Sequence, residues 1–373
     1  MSDPAVRGRM QWPVVVPVLA FLILAVAWFR HDHWAVLVVV SIALVGAVVA
    51  AVHHAEVVAH KVGEPFGSLI LAVAVTVIEV GLIVMLMTGG GQGASTYARD
   101  TVFAAVMITL NGIVGLSLVV GALKHRLVAF NASGTGSAVA TVITLAGVSL
   151  VLPSFTTSVE GREYSPSQLG FAAVASLALY AAFVFTQTIR HRYFFLPVAS
   201  DDRGRVTGLL DLDEDGHADP PPAREAWISL GLLLTALVSV VGLAKVLSPT
   251  IEDIVNDLGL PYAVVGVVIA LLVLAPESIA AVRNAARNRV QISLNLAYGS
   301  AMASIGLTIP TVAVAMIWLA GPLELGLDPT QMVLLAITVV VTAFTMLQGR
   351  TYALQGFVHL VLLCAFVLLS IQP

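Results

Sequence analysis

The sequence predicts an all-α polytopic membrane protein with eleven transmembrane helices: one extra N-terminal helix, then two inverted five-helix repeats. Three observations carry this. The 373 residues are 58% hydrophobic and only 11% charged, with a mean hydropathy of +0.97; soluble domains carry about 25% charged residues. The apolar residues gather in runs close to the roughly 20 residues that cross a bilayer core as a helix. The lysines and arginines between those runs fall almost entirely on alternate sides, as expected when cytoplasmic loops hold the positive charge.

In order, the expected spans are Trp12–Phe29, Trp34–Val52, Phe66–Thr88, Thr101–Leu123, Ser137–Leu152, Leu169–Ile189, Ala226–Val246, Tyr262–Val282, Ile292–Ala320, Met332–Met346 and Tyr352–Ile371. The first follows Arg7 and Arg9, and Ala25 and Ala27 faintly echo a signal-peptidase site; a retained anchor fits the rest of the chain better. With a cytoplasmic N-terminus, fourteen Lys and Arg fall inside, and only Arg30, Arg99, Arg162 and Lys245 fall outside. The C-terminus then lies outside. The net charge of −4 says little beside this asymmetry. A single cysteine, Cys364, excludes a disulfide framework and reads as a packed thiol. The expected partners are the lipid bilayer and inorganic cations, with no nucleic acid.

Two halves of the chain repeat. Ile108–Leu118 (ITLNGIVGLSL) matches Ile292–Met302 (ISLNLAYGSAM), pairing Asn111 with Asn295. Upstream, Glu56, Gly63, Pro65 and Phe66 match Glu252, Gly259, Pro261 and Tyr262. Glu79 takes the place of Glu277 between these blocks, after a two-residue shift. Five crossings per repeat is an odd number, so the copies enter from opposite sides, an arrangement used by transporters whose site lies between the repeats. The expected parts are an N-terminal tail and extra helix (1–33), a first repeat (34–192), an acidic cytoplasmic linker (193–225) and a second repeat (226–373).

Glu277 is the one ionisable residue between Tyr262 and Val282, and Glu79 the one charge between Phe66 and Thr88. A charge at the bilayer centre costs at least about 3 kcal/mol, so such a residue is a functional candidate by default. The alternative is a protonated carboxyl hydrogen-bonded to a neighbouring helix. Pro276 denies a backbone N–H to the Leu272 carbonyl, which leaves a free oxygen one turn from the carboxylate. Two carboxylates brought together bind protons readily, and a divalent cation competes for the same oxygens. Calcium takes six to eight oxygens. Asn111 and Asn295 are candidate ligands, or else inter-helix hydrogen-bonding groups. Thr76, Ser278, Ser300 and Ser304 are further candidates, or else hydroxyls bonded back to their own helices. The chemistry indicated is exchange of a cation for protons, without a separate cofactor.

The pairing of GEPFGSLILAVAVTVIEV with LLVLAPESIAAVRNAARNRVQISLNLAYGSAMASIGLTIP resembles the cation/calcium exchanger superfamily, and within it bacterial calcium/proton antiporters. The resemblance covers the chain after the first span. It implies one extra helix plus two inverted five-helix repeats, a cation-binding glutamate in each repeat's second helix (Glu79 and Glu277 by position), Ca²⁺ and H⁺ as the transported ions, and a bacterial inner membrane. Relatives credited with Na⁺/H⁺ and K⁺/H⁺ exchange keep monovalent transport open. The chain lacks the glutamine near Gly115 or Gly299, and the Gly-Asn before either glutamate, of the vacuolar-type motif.

Three further features complete the reading. Asp211–Asp219 (DLDEDGHAD) echoes a calcium loop, but Pro222 stands where the loop needs Glu; a plain acidic linker is the alternative. His53, Glu56 and His60 share a helix face and raise a metalloenzyme as a different class of function, though H-E-x-x-H is absent. His359 reads as a hydrogen-bonded packing residue rather than a proton relay.

Overall fold

The apolar runs form helices throughout the computed structural model, which describes residues 12–29, 33–63, 66–89, 93–200, 206–209, 221–319 and 321–373. Eleven helices follow the eleven predicted spans. They are α1 (Trp12–Ala27), α2 (Trp34–Val62), α3 (Phe66–Thr88), α4 (Tyr97–His125), α5 (Ala132–Ser154), α6 (Pro166–Arg190), α7 (Ala223–Asp257), α8 (Ala263–Ala286), α9 (Val290–Ala315), α10 (Pro329–Leu347) and α11 (Ala353–Ile371). Ten of them are long and apolar enough to cross a membrane; α1, with 16 residues, is a shorter apolar helix.

Local chemistry sets several boundaries. Asn131 Oδ1 accepts from the Gly134 N–H at the start of α5 (3.0 Å). Ser165 with Gln168, and Asp328 with Gln331, form capping boxes at α6 and α10, each followed by proline at the first helical position. These caps extend α6 and α10 three residues upstream of the predicted starts. Larger corrections concern α2, α7 and α9: α2 continues ten residues past the predicted end at Val52, to Val62. The 35 residues of α7 run through Pro249 to Asp257, about 50 Å of helix, well past the predicted end at Val246. α9 is interrupted at Leu307 and ends at Ala315 rather than Ala320.

The helices group into two compact units, each drawing on both sequence repeats. The first comprises α1–α3 and α7 (Met1–Ala94 and His217–Gly259). Here α2 lies between α1, α3 and α7, and a small-residue face of Ala47, Ala50, Ala51 and Ala55, all with no exposed surface, lets the helices approach. A Cβ on Gly242 would lie 2.5 Å from Leu24, and one on Gly81 2.6 Å from Val241. In α1, Pro17 removes the donor that the Pro13 carbonyl would otherwise meet. His54 of α2 supplies it, with Nε2–H donating to Pro13 O at 2.8 Å; His54 is only 3% exposed. Trp12 packs against His53 at the same level, with the rings tilted by 47° and their centroids 5.4 Å apart.

The second unit comprises α4–α6 and α8–α11 (Ser95–Gly216 and Leu260–Pro373). Its core is α4, buried along the whole stretch from Tyr97 to Ile113 and flanked by α8, α9 and α11. α5 and α6 cover α9, and α10 packs on α5 and α11. Two short antiparallel pairs tie loops together. β1 (Val128–Ala129) pairs with β4 (Arg350–Thr351), in register Val128 with Thr351, and β2 (Val198–Ser200) pairs with β3 (Val206–Leu209). The start of the expected linker is thus structured: a turn at Arg192–Phe195 leads into β2. The DLDEDGHAD stretch lies outside the described residues. Cys364 is exposed on α11 rather than packed.

The His54–Pro13 bond yields a prediction. His54→Leu leaves a buried carbonyl unmet and should destabilise the protein by about 1–3 kcal/mol, seen as a lower melting temperature in detergent. Pro17→Ala returns an N–H to that carbonyl, so the same substitution in a Pro17→Ala background should cost clearly less. Equal losses in both backgrounds would contradict the assignment.

Candidate functional site

Each predicted glutamate sits in the second helix of its repeat, and each is buried. Glu79 lies on α3 in the first unit and is 2% exposed, between Ile78 and Ile83, which expose nothing. Thr76, one turn earlier, donates to its own helix at Ala72 O (2.8 Å). That bond uses the hydroxyl hydrogen and leaves the oxygen's lone pairs. Gly81 brings α3 against α7 at this level.

Glu277 lies on α8 in the second unit and is 8% exposed. The helix runs through Pro276 without ending, so the Leu272 carbonyl loses its helical donor one turn before Pro276. Ser278 donates to Leu274 O at 2.7 Å. Three contacts fix α8. A Cβ on Gly266 would lie 2.7 Å from the Asp100 carbonyl carbon and 2.8 Å from Thr101 N, so the backbones of α8 and α4 touch there. Ser293 Oγ of α9 donates to Ala281 O (2.6 Å). His125 Nε2, at the end of α4, lies 3.2 Å from Ala286 O.

The segment of α4 that packs on α8 includes six residues in π-helical geometry, Ile108–Ile113. Such widened turns re-route backbone hydrogen bonds and are frequent at functional sites. Asn111 sits inside it with no exposed surface. Its Nδ2 donates to Thr338 Oγ1 of α10 (3.0 Å), and its Oδ1 lies 3.2 Å from His359 Nδ1 of α11. The matched Asn295 of α9 is half-buried and also engaged. Its Oδ1 accepts from Gln291 Nε2 (2.8 Å), and its Nδ2 donates to Phe195 O (2.6 Å). Gln291 Oε1 in turn accepts from Asn131 N (2.7 Å). Asn111 therefore makes the inter-helix bonds weighed from the sequence, whereas Asn295 bonds within its own helix and to the turn at Arg192–Phe195; each amide oxygen already accepts one hydrogen bond. Ser304 is buried and Ser300 half-buried on α9.

Sequence reasoning missed one polar cluster. Arg99, placed in an outer loop, is 8% exposed at the start of α4. Its Nε donates to Asp100 Oδ1 (2.8 Å), with Glu324 Oε2 3.8 Å from Nη1 and Gln331 Nε2 3.4 Å from Asp100 Oδ1. The signal was the adjacent Arg99–Asp100 pair opening an otherwise apolar run. His53 is occupied by ring contacts with Trp12 and His54, and Glu56 is exposed. Among the described residues no three His, Cys, Asp or Glu converge on a metal position, so the metalloenzyme reading finds no support.

Buried carboxylates in apolar helices, one of them directly after a proline on the helix that packs on the π segment, are joined by a direct comparison. The sodium/calcium exchanger protein family matches residues 33–189 and 228–372. The chain belongs to this family. It is a membrane cation exchanger. The protein y4hA of Sinorhizobium fredii is 43% identical over 369 residues, covering 97% of this chain and 96% of its own length. The sodium-potassium/proton antiporter ChaA of Escherichia coli is 32% identical over 372 residues, covering 98% of each. The fold is that of native YfkE, with a TM-score of 0.72 at 16% identity, covering 97% of this chain and 100% of the other.

The α4–α8 contact leads to a prediction for the exchanger. Gly266→Val places a branched side chain where backbone atoms stand within 3 Å. It should lower the melting temperature, for an overpacking cost of about 1–3 kcal/mol, and slow transport per folded molecule. Vesicle assays normalised to folded protein would check this.

Proposed function

We propose that this exchanger moves Ca²⁺ out of the cell against protons moving inward, with Glu79 and Glu277 alternately carrying cation and protons. The observation that bears most weight is Glu277, a buried carboxylate directly after Pro276, on a helix packed against a π segment. Oxygen donors in a dry setting suit a hard cation. A carboxylate can carry either a cation or a proton on its oxygens. Cation and protons thus displace each other from the same oxygens, which makes transport an obligatory exchange. Thr76, Ser278, Ser300 and Ser304 offer hydroxyl oxygens as further ligands, and Asn111 and Asn295 shape the central helices, with one amide oxygen lone pair each in reserve. No separate cofactor is needed. The membrane is a bacterial inner membrane, with the N-terminus cytoplasmic and the C-terminus outside, as the distribution of Lys and Arg supports.

A second reading keeps this machinery and exchanges Na⁺ or K⁺. It is favoured by the 32% identity to the sodium-potassium/proton antiporter ChaA, against 23% to the Ca²⁺/H⁺ antiporter of Aphanothece halophytica.

Proton flux in proteoliposomes with a set pH gradient separates the readings. Micromolar Ca²⁺ should dissipate the gradient, and Glu79→Gln or Glu277→Gln should abolish this by at least about a hundredfold, since a neutral amide cannot cycle between proton and cation. Response to millimolar Na⁺ or K⁺ alone would establish the second reading. No cation response from folded protein would overturn both.

A further inference from the structure

The last helix contributes a buried histidine to the most buried helix of its unit, and close backbone packing puts it there. A Cβ on Gly115 would lie 3.1 Å from both Gly356 O and His359 Cβ, and one on Gly356 would lie 2.7 Å from Val119 Cγ2 and 2.8 Å from Gly115 O. Only glycines allow α4 and α11 to meet this closely, and the meeting seats His359 against Asn111. Most of α11 is otherwise apolar and much of it exposed, yet His359 has no exposed surface.

The polarity of the bonds follows from their ends. Thr338 Oγ1 points its hydrogen at Met107 Sδ (3.8 Å) and accepts from Asn111 Nδ2. Asn111 Oδ1 therefore faces His359, and as an acceptor it requires the proton on Nδ1. The group met by the imidazole Nδ1 thus belongs to the π segment Ile108–Ile113, and α8 packs on that segment.

We propose that His359 is a positioning residue of the exchange site: by donating to Asn111 it locks the amide between α10 and α11, and so holds the shape of the π segment against the helix that carries Glu277. His359 touches no transported ion in this role. The inference rests on the exchange reading above, and it adds a requirement that the reading alone does not carry. Partners that orient groups around a metal typically contribute tenfold or more to affinity, so the effect should appear in the cation concentration needed for half-maximal transport.

The full-length protein in proteoliposomes tests this, with proton flux titrated against Ca²⁺, Na⁺ and K⁺ separately. His359→Leu should raise the half-saturating concentration of the transported cation about tenfold or more, with a smaller fall in maximal rate. His359→Gln, whose amide N–H can donate to Asn111 Oδ1, should recover most of that affinity. Thr338→Val keeps the side-chain shape and removes the acceptor at the far end, and should raise half-saturation in the same direction even if His359→Leu fails to fold. Wild-type half-saturation in Thr338→Val and in folded His359→Leu would overturn the inference, as would equal losses in His359→Leu and His359→Gln. Glu277→Gln runs in parallel. Its inactivity beside unaffected His359 variants would sink the positioning role alone, whereas normal transport by Glu277→Gln would sink the exchange reading as well.

Discussion

A bilayer core supplies no hydrogen-bond partners, so every polar group in these helices must be met by the protein or by what the protein carries. The rest of the structure depends on that constraint. Two prolines show how differently it can be met. Pro17 frees the Pro13 carbonyl, and His54 from the next helix closes the bond, which fastens α1 to α2. Pro276 denies a donor to the Leu272 carbonyl, in the helix that carries the buried Glu277. The first freed oxygen serves as a structural staple. The second belongs to the helix of a buried carboxylate, a group that can change its own charge.

The matched asparagines show the same economy from the other direction. Asn111, in the first repeat, bonds Thr338 and His359 of the second. Asn295, in the second, bonds Phe195 and, through Gln291, Asn131, both encoded before the second repeat begins. Each amide reaches across the sequence to the other half. The repeat is therefore visible in which positions carry the amides, while their partners are unrelated in kind: a threonine and a histidine on one side, a glutamine and a main-chain carbonyl on the other. Related scaffolds with unlike partners allow one half to be stiffer than the other.

Much of this was legible in the sequence, because the lipid phase imposes its pattern at the scale of whole spans. The limits of α3 were readable directly, and Glu79 and Glu277 stood out as charges where charge is expensive. The misses have local causes. α7 continues past Val246 because helical geometry does not stop at the membrane surface, and Pro249 alone did not break it. Arg99 looked like a loop charge because its neutralising partners, Asp100 and Glu324, are adjacent in one case and 225 positions away in the other. The π geometry of Ile108–Ile113 left no mark in composition. His359 was readable as hydrogen-bonded, but not its partner, since pairing across 248 positions is set by the glycine contact of α4 with α11.

That separation also bears on how the protein is made. Asn111 leaves the ribosome 248 residues ahead of His359, roughly 10–50 s at ordinary synthesis rates. Throughout that interval the amide is in or near the membrane without the imidazole that later holds it. Water, the insertion machinery or a temporary neighbour must serve until α11 arrives. Assembly of the central helices is therefore completed only after the final span is inserted, and a chain arrested before α11 would hold both carboxylates yet lack the finished packing around them.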